Sequence, residues 1–242
     1  MGNRVKVFEG AAAKLRAPAT PIRSPGTQAI IDEAMRADTD LPLYVTVGGG
    51  LTEVASALMI EPRIAGRFTL VWIGGDAYPA GGTGETNFNI DTLAAQYIYN
   101  QTSLPIWQIP RAVYASCLVS ASELQAFVAP NGAIGEWLYR KVVEAPGKYR
   151  NVLNMGETWT LGDNPLVVLT ALADWTPGGT GRPFRYDKTG SSAYDIVPAP
   201  HLNPDGTFTP ATGGRPIRIY KSVDNRMMLS DFFAKLRVNY GA

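Results

Sequence analysis

The stretch GGTGETNFNID, residues 81–91, concentrates side chains suited to holding a polyhydroxylated ligand. Asn87 and Asn89 each carry a donor and an acceptor on one amide, which matches the vicinal hydroxyls of a sugar. Phe88 between them either walls such a site or enters the core, and the plainer reading of the whole stretch is a loop with a helix cap. A third polar group, Asp163 in TLGDNP, stands at an expected helix start, as a buried cap or as a carboxylate for a hard cation. His201 is the single histidine and Cys117 the single cysteine. A multi-histidine metal site, a cysteine-based zinc site and an internal disulfide are therefore excluded. Any catalysis has to run on carboxylates, amides, hydroxyls or an oxygen-bound metal. His201 itself lies in PAPHLNPDGTFTP, a proline- and glycine-rich loop, and reads as exposed.

Composition bounds the partners. The chain has 242 residues, 45% hydrophobic and 18% charged, with a net charge of +1. Such a balance supports a full core and gives no electrostatic reason to expect nucleic acid or an acidic membrane. No run is long enough to span a bilayer, and the opening MGNRVKVFEGAAAKLR shows no secretory h-region, so a cytoplasmic setting is expected. The expected partner is a small molecule, with a homo-oligomer left open.

The elements that must position these residues follow from periodicity. PLYVTVGGG (Pro42 to Gly50) and FTLVWIGG (Phe68 to Gly75) are apolar, β-branched runs ending in glycines, as in strands covered on both faces of a parallel sheet. Between them Leu51, Val54, Ala55, Leu58 and Met59 make one face of a helix that Pro62 ends. Asn89 or Asp91 is expected to cap a helix through DTLAAQYIYNQ, and LPIWQIP (Leu104 to Pro110) makes the next strand. Ser120 and Glu123 form a capping-box signature. GEWLYRKVVEA is a helix closed by Pro146-Gly147. NPLVVLTALADW (Asn164 to Trp175) reads as a buried helix with Asp163 at its cap. RPIRIYKSVD is a strand, followed by a final helix with Met228, Leu229, Phe232, Phe233 and Leu236 on one side. Residues 176–215 read as loops with short strands. The expectation is one α/β domain over 1–242, a mainly parallel open sheet with helices on both faces.

In open α/β sheets a ligand sits beyond the carboxyl ends of the strands. Gly48-Gly49-Gly50 and Gly74-Gly75-Asp76 lie there, and Asn87 and Asn89 stand over the same crevice. A phosphate loop is a weaker reading, because VGGGLTE has neither G-x-G-x-x-G nor G-K-[ST]. The order of VGGGLTEVASALMIEPRIAGRFTLVWIGG, ETNFNIDTLAAQYIYN, IWQIPRAVY, LGDNPLVVLTAL and IRIYKSVDNRMMLSDFFAKL resembles the inosine-uridine nucleoside hydrolase family from about the start of the chain to its end.

That resemblance implies cleavage of the N-glycosidic bond of a ribonucleoside by a water held on calcium. It places the Gly48 carbonyl and Asp163 among the calcium ligands, Asn89 on the ribose with Phe88 as the aromatic before it, and Asn87 beside them. Trp159 is the candidate for stacking the base. The chain also departs from the pattern. The family's opening aspartate cluster, D-x-D-x-x-x-D-D, has no counterpart: the first acidic residues are Glu9 and Asp32. Asn87 stands where many members have Glu, Gly162 where many have a leaving-group histidine, and Glu53 where the turn is usually followed by Asn. The calcium site is thus expected to be incomplete, no catalytic residue is named, and the domain is expected to lack the family's opening strand region. Two functions follow: a calcium-dependent nucleoside hydrolase, or a homologue that binds a nucleoside or sugar without hydrolysing it.

Overall fold

A computed structural model of the chain describes residues 5–149, 156–172 and 193–241, with side chains undescribed at 145–149. Along the chain come α1 (Pro25–Ala34), β1 (Leu43–Val47), α2 (Thr52–Ile60), β2 (Phe68–Ile73), α3 (Thr86–Ile90), α4 (Thr92–Gln101), β3 (Ile106–Ile109) and α5 (Arg111–Tyr114). They are followed by β4 (Leu118–Ser120), α6 (Ala121–Phe127), α7 (Gly132–Tyr149), β5 (Thr158–Thr160) and α8 (Pro165–Ala171). Last come β6 (Ala193–Pro198), β7 (His201–Leu202), β8 (Phe208–Thr209), β9 (Pro216–Ser222) and α9 (Asn225–Tyr240). The chain divides into two compact units, Met1–Ala112 with Tyr194–Lys221, and Val113–Ala193 with Ser222–Ala242.

The first unit is built on a five-stranded sheet in the order β1-β2-β3-β9-β6. The pairings of β1 with β2, β2 with β3 and β3 with β9 are all parallel, with Val45 opposite Leu70, Leu70 opposite Ile106 and Trp107 opposite Arg218. The fold is thus α/β with a mainly parallel sheet. One face of the sheet presents Leu70, Trp72, Ile106, Ile217 and Ile219 to a core completed by Ile31 of α1, Leu58 of α2 and Ile98 of α4. β2 is buried along nearly its whole length, as its apolar run predicts. β1 differs: it lies at the sheet edge, is only half buried and exposes Thr46, because it pairs on one side alone.

Helix ends follow the side-chain chemistry. Ser24 caps α1 by accepting from Thr27 N, with a proline in the first turn. Asp91, not Asn89, caps α4 by accepting from Ala94 N at 3.0 Å. At the other end of α4 the Arg215 guanidinium donates to the carbonyls of Ile98, Tyr99, Thr102 and Leu104 at 2.7–3.0 Å. Ile98 and Tyr99 are last-turn carbonyls of α4 without intrahelical donors, while Thr102 and Leu104 belong to the segment that leaves the helix. One charged fork therefore closes the helix end and holds the exit. The short β7–β8 hairpin is held to the same helix by Asn100, which both donates to Leu202 O and accepts from Leu202 N.

In the second unit β4 and β5 pair antiparallel, with Val119 opposite Trp159. Ser120 and Glu123 close the expected capping box on α6. Two expectations change. Helix α7 continues through Pro146-Gly147 to Tyr149 rather than closing there; proline removes one amide donor but already has a helical φ. Helix α8 stops at Ala171, with Asn164 rather than Asp163 at its N-cap. Leu166, Val168 and Leu169 are buried while Val167 is 55% exposed, so its apolar run serves one face and not the full circumference. Trp175 lies outside the described residues.

Replacing Arg215 with alanine is expected to destabilise the chain by about 2–3 kcal/mol, since it removes a multidentate charged donor from helix carbonyls. Lysine, one compact ammonium that cannot match the planar fork, should restore less than half of that loss. Urea unfolding of the intact protein checks both variants.

Candidate functional site

Parallel pairing brings the carboxyl ends of β1, β2, β3 and β9 to one edge of the first unit's sheet. Gly48 is exposed there, directly after β1. The next carbonyl, that of Gly49, accepts from the indole Nε1 of the fully buried Trp72 at 3.0 Å. Gly50 packs against α3, because a Cβ on it would lie 2.4 Å from Ile90 Cγ2. The glycine turn after β1 and the helix carrying the two amides are therefore neighbours.

Asn87 is half buried, and its Nδ2 donates to the carbonyl of Ile73, the last residue of β2, at 2.8 Å. Phe88 is 2% exposed and belongs to the core. Asn89 is exposed. One short helix thus has one amide bracing the strand end, a ring anchoring it from below and one amide turned to solvent. Gly75, just past β2, has φ +73°, and a Cβ there would meet Gln108 Nε2 at 2.5 Å. Gln108 is fully buried: its Nε2 donates to Gly74 O at 3.0 Å, and its Oε1 accepts from Tyr99 Oη at 2.8 Å. Burial raises the Tyr99 hydroxyl far above its ordinary range, so it stays a donor.

The glycines at 81 and 82 approach the chain itself. Gly82 N donates to Gly206 O at 3.0 Å, Phe208 N donates to Ala80 O at 3.2 Å, and Gly81 bridges Thr207. Cβ atoms on Gly81 and Gly206 would sit 2.5 and 2.4 Å from the carbonyls of Gly206 and Gly82, with φ at +71° and +80°. The same loop is pinned by Arg111, which pairs with Asp76 and donates to Gly84 O at 3.1 Å.

Two buried carboxylates that sequence reading passed over as site residues bracket α3. Glu85, fully buried, accepts from Gly75 N, Asn87 N and Phe88 N at 2.7–3.0 Å. Asp91, 1% exposed, accepts from Leu15 N at 2.8 Å, Thr52 Oγ1 at 2.7 Å and Ala94 N. Glu85 occupies the N-cap of α3, where an acid is favoured by the helix dipole, but glutamate is not among the usual N-cap residues and so carries no clear sequence signal.

Calcium takes six to eight oxygens, carboxylates foremost. Among the described residues no group of three or more His, Cys, Asp or Glu side chains is placed to hold a metal ion. Around the edge, Glu85 and Asp91 are committed to backbone and hydroxyl donors, Asp76 to Arg111, and Glu53 to Ala11 N at 2.6 Å. The described residues do not fit a calcium site. A thiol nucleophile does not fit either, since Cys117 is buried and burial pushes its thiol up to about 11.

Asp163 and Trp159 belong to the second unit. Asp163 is exposed, and its carbonyl accepts from Leu166 N in the first turn of α8. Trp159 is half buried on β5 and, with Leu124, Val142 and Thr158, lines a cavity of about 220 Å³.

The inosine-uridine preferring nucleoside hydrolase family matches residues 2–199. The chain belongs to that family. A search of curated proteins found no match. Among solved structures, a purine-preferring ribonucleoside hydrolase from Gardnerella vaginalis superposes with a TM-score of 0.67 at 16% identity, over 89% of this chain and 66% of that one. A plant nucleoside hydrolase gives 0.66 at 16% identity, over 91% and 70%. An inosine-uridine preferring nucleoside hydrolase from Bacillus anthracis gives 0.58 at 17%, over 89% and 66%. At these identities the likeness establishes the fold, and the chain spans about two thirds of the length of each of these hydrolases.

Gly81→Ala is expected to cost about 2–3 kcal/mol, from a left-handed φ and a Cβ pressed on a backbone carbonyl. The loop over residues 76–85 should then become the first site of cleavage in limited proteolysis. Unchanged stability and an unchanged cleavage pattern would refute the close-approach reading of these glycines.

Proposed function

We propose that this chain is a hydrolase of the nucleoside N-ribohydrolase type, which takes a ribonucleoside or related riboside at the carboxyl edge of its parallel sheet. Family membership over residues 2–199 carries the reading. The geometry of α3 supports it: Asn89 is the exposed amide, on a helix fixed to the end of β2, and an amide reads a pair of vicinal hydroxyls by donating to one and accepting from the other. Asn87 contributes chiefly by holding α3, because its nitrogen is committed to Ile73 O. Phe88 contributes as the anchor beneath. The Gly48 carbonyl borders the same edge. Asp163 stays assigned by resemblance as the pattern's late carboxylate, and Trp159 is a candidate base-stacking ring only through its nearness to Asp163 in the sequence. Trp159→Ala and Asp163→Ala test them separately.

Family members use calcium to bind and polarise the attacking water. The described residues do not fit that ion, so no water-activation step is assigned to them. The commitment of Glu53, Asp76, Glu85 and Asp91 to other partners favours a second reading, in which the chain binds the riboside without cleaving it.

Calorimetric titration with inosine and uridine, together with a reducing-sugar assay in added calcium and in EDTA, separates the two. Release of ribose supports the hydrolase, binding without release supports the second reading, and absence of both sinks the pair. Where binding is seen, Asn89→Ala is expected to weaken it about tenfold, the effect of losing roughly one well-made hydrogen bond. Equal affinity in that variant would remove Asn89 from the site.

A further inference from the structure

We propose that Glu85 is the positioning residue of the sugar subsite, an inference that rests on the reading of Asn89 given above. Helix α3 has five residues, Thr86–Ile90. A helix of that length has no stability of its own, so its placement must come from tertiary contacts. Phe88 supplies the apolar contact, and Asp91 fixes the following turn. Glu85 does something different. Its Oε1 accepts from Asn87 N at 3.0 Å, while its Oε2 accepts from Phe88 N at 2.7 Å and from Gly75 N at 2.8 Å. The first two amides are orphan donors of the helix start, which any N-cap would satisfy. Gly75 lies ten residues upstream, in the turn that leaves β2. One carboxylate therefore ties the exit of β2 to the helix bearing Asn87 and Asn89.

The residue type matters. Serine or aspartate caps a helix as well as glutamate does, but each is too short to keep the helix amides and also reach Gly75. Glutamine has the length, but its NH₂ would face an amide donor, so at least one of the three bonds is lost. The charge itself is favoured at this spot, since three backbone N–H groups and a helix start all point at it. Full burial excludes water as a substitute acceptor. If the tether is lost, α3 keeps its cap, its Phe88 anchor and the Asn87–Ile73 O bond. It is then left with one hydrogen-bonded link to the β2 exit in place of two, and Asn89 is held less firmly.

The test compares the intact wild-type chain with Glu85→Gln, Glu85→Asp and Asn89→Ala, and with the double variants. Calorimetric titration with inosine and uridine gives affinity, thermal melting gives folding, and amide hydrogen exchange reads Gly75 and Phe88. Glu85→Gln is expected to lose about tenfold in affinity while melting cooperatively. Glu85→Asp should protect the Phe88 amide but not that of Gly75, and should still bind more weakly than wild type. In the Asn89→Ala background either change should have little further effect, because both act through the same side chain. If Glu85→Gln does not fold, Glu85→Asp carries the comparison alone. Wild-type affinity in both Glu85 variants overturns the proposal, and so does a loss that simply adds to that of Asn89→Ala. A wild-type chain that binds neither nucleoside overturns the ribose reading instead, while exchange at Gly75 still decides whether Glu85 tethers the strand to the helix.

Discussion

Parallel pairing of β1, β2, β3 and β9 is the constraint on which the first unit depends. A parallel pair cannot be closed by a tight hairpin, so each strand must be followed by a crossover before the next begins. The glycine turn and α2 return the chain from β1 to β2, and the loop of residues 74–85 with α3 and α4 returns it from β2 to β3. All the strand exits then share one edge. A crossover has to leave that edge through irregular backbone, whose donors and acceptors must be satisfied without a ladder. Much of what is distinctive about this edge is the answer to that requirement.

The answer relies on buried carboxylates. A carboxylate has no donor of its own and several lone pairs, so it can gather N–H groups from segments that otherwise do not meet. Asp91 gathers the amide of Leu15, the Thr52 hydroxyl and the start of α4. Glu85 gathers the exit of β2 and the start of α3. Trp72 plays the converse part, its buried N–H taking up the Gly49 carbonyl. These groups make a rigid rim, and the same commitment removes them from metal chemistry. The described acids around this edge serve as structural acceptors, and among the described residues no group of three or more His, Cys, Asp or Glu is placed to hold a metal ion.

The glycines show how one residue type serves different ends. Gly75 is required by its positive φ and by the Gln108 side chain beside it, Gly50 by the Ile90 side chain of α3, and Gly81 by the backbone of Gly206. The run GGTG does not by itself name the partner that its bare backbone approaches. In the fold, the nearest partner of Gly81 is the turn between β7 and β8, more than a hundred residues away along the chain. Nothing local in the sequence specifies that meeting.

The sequence by itself determined the elements and their kind. Apolar runs closed by glycines placed β1 and β2, the i, i+3, i+4 stripe placed α2, and Ser120 with Glu123 placed the start of α6, because periodicity and capping act over a few residues and are written locally. It also placed the candidate edge, since strand exits in a parallel sheet share a side wherever the chain repeats strand and helix. Tertiary structure decided what each side chain at that edge does. Asn87, Phe88 and Asn89 are adjacent in sequence, yet one braces a strand, one fills the core and one faces solvent. That division is set by what lies opposite each position, chiefly Ile73 O, the hydrophobic core and solvent. Long-range contacts likewise gave Glu85 its reach to Gly75 and Arg215 its four carbonyls. Partners so distant along the chain leave no periodic trace, so only the folded backbone could reveal them.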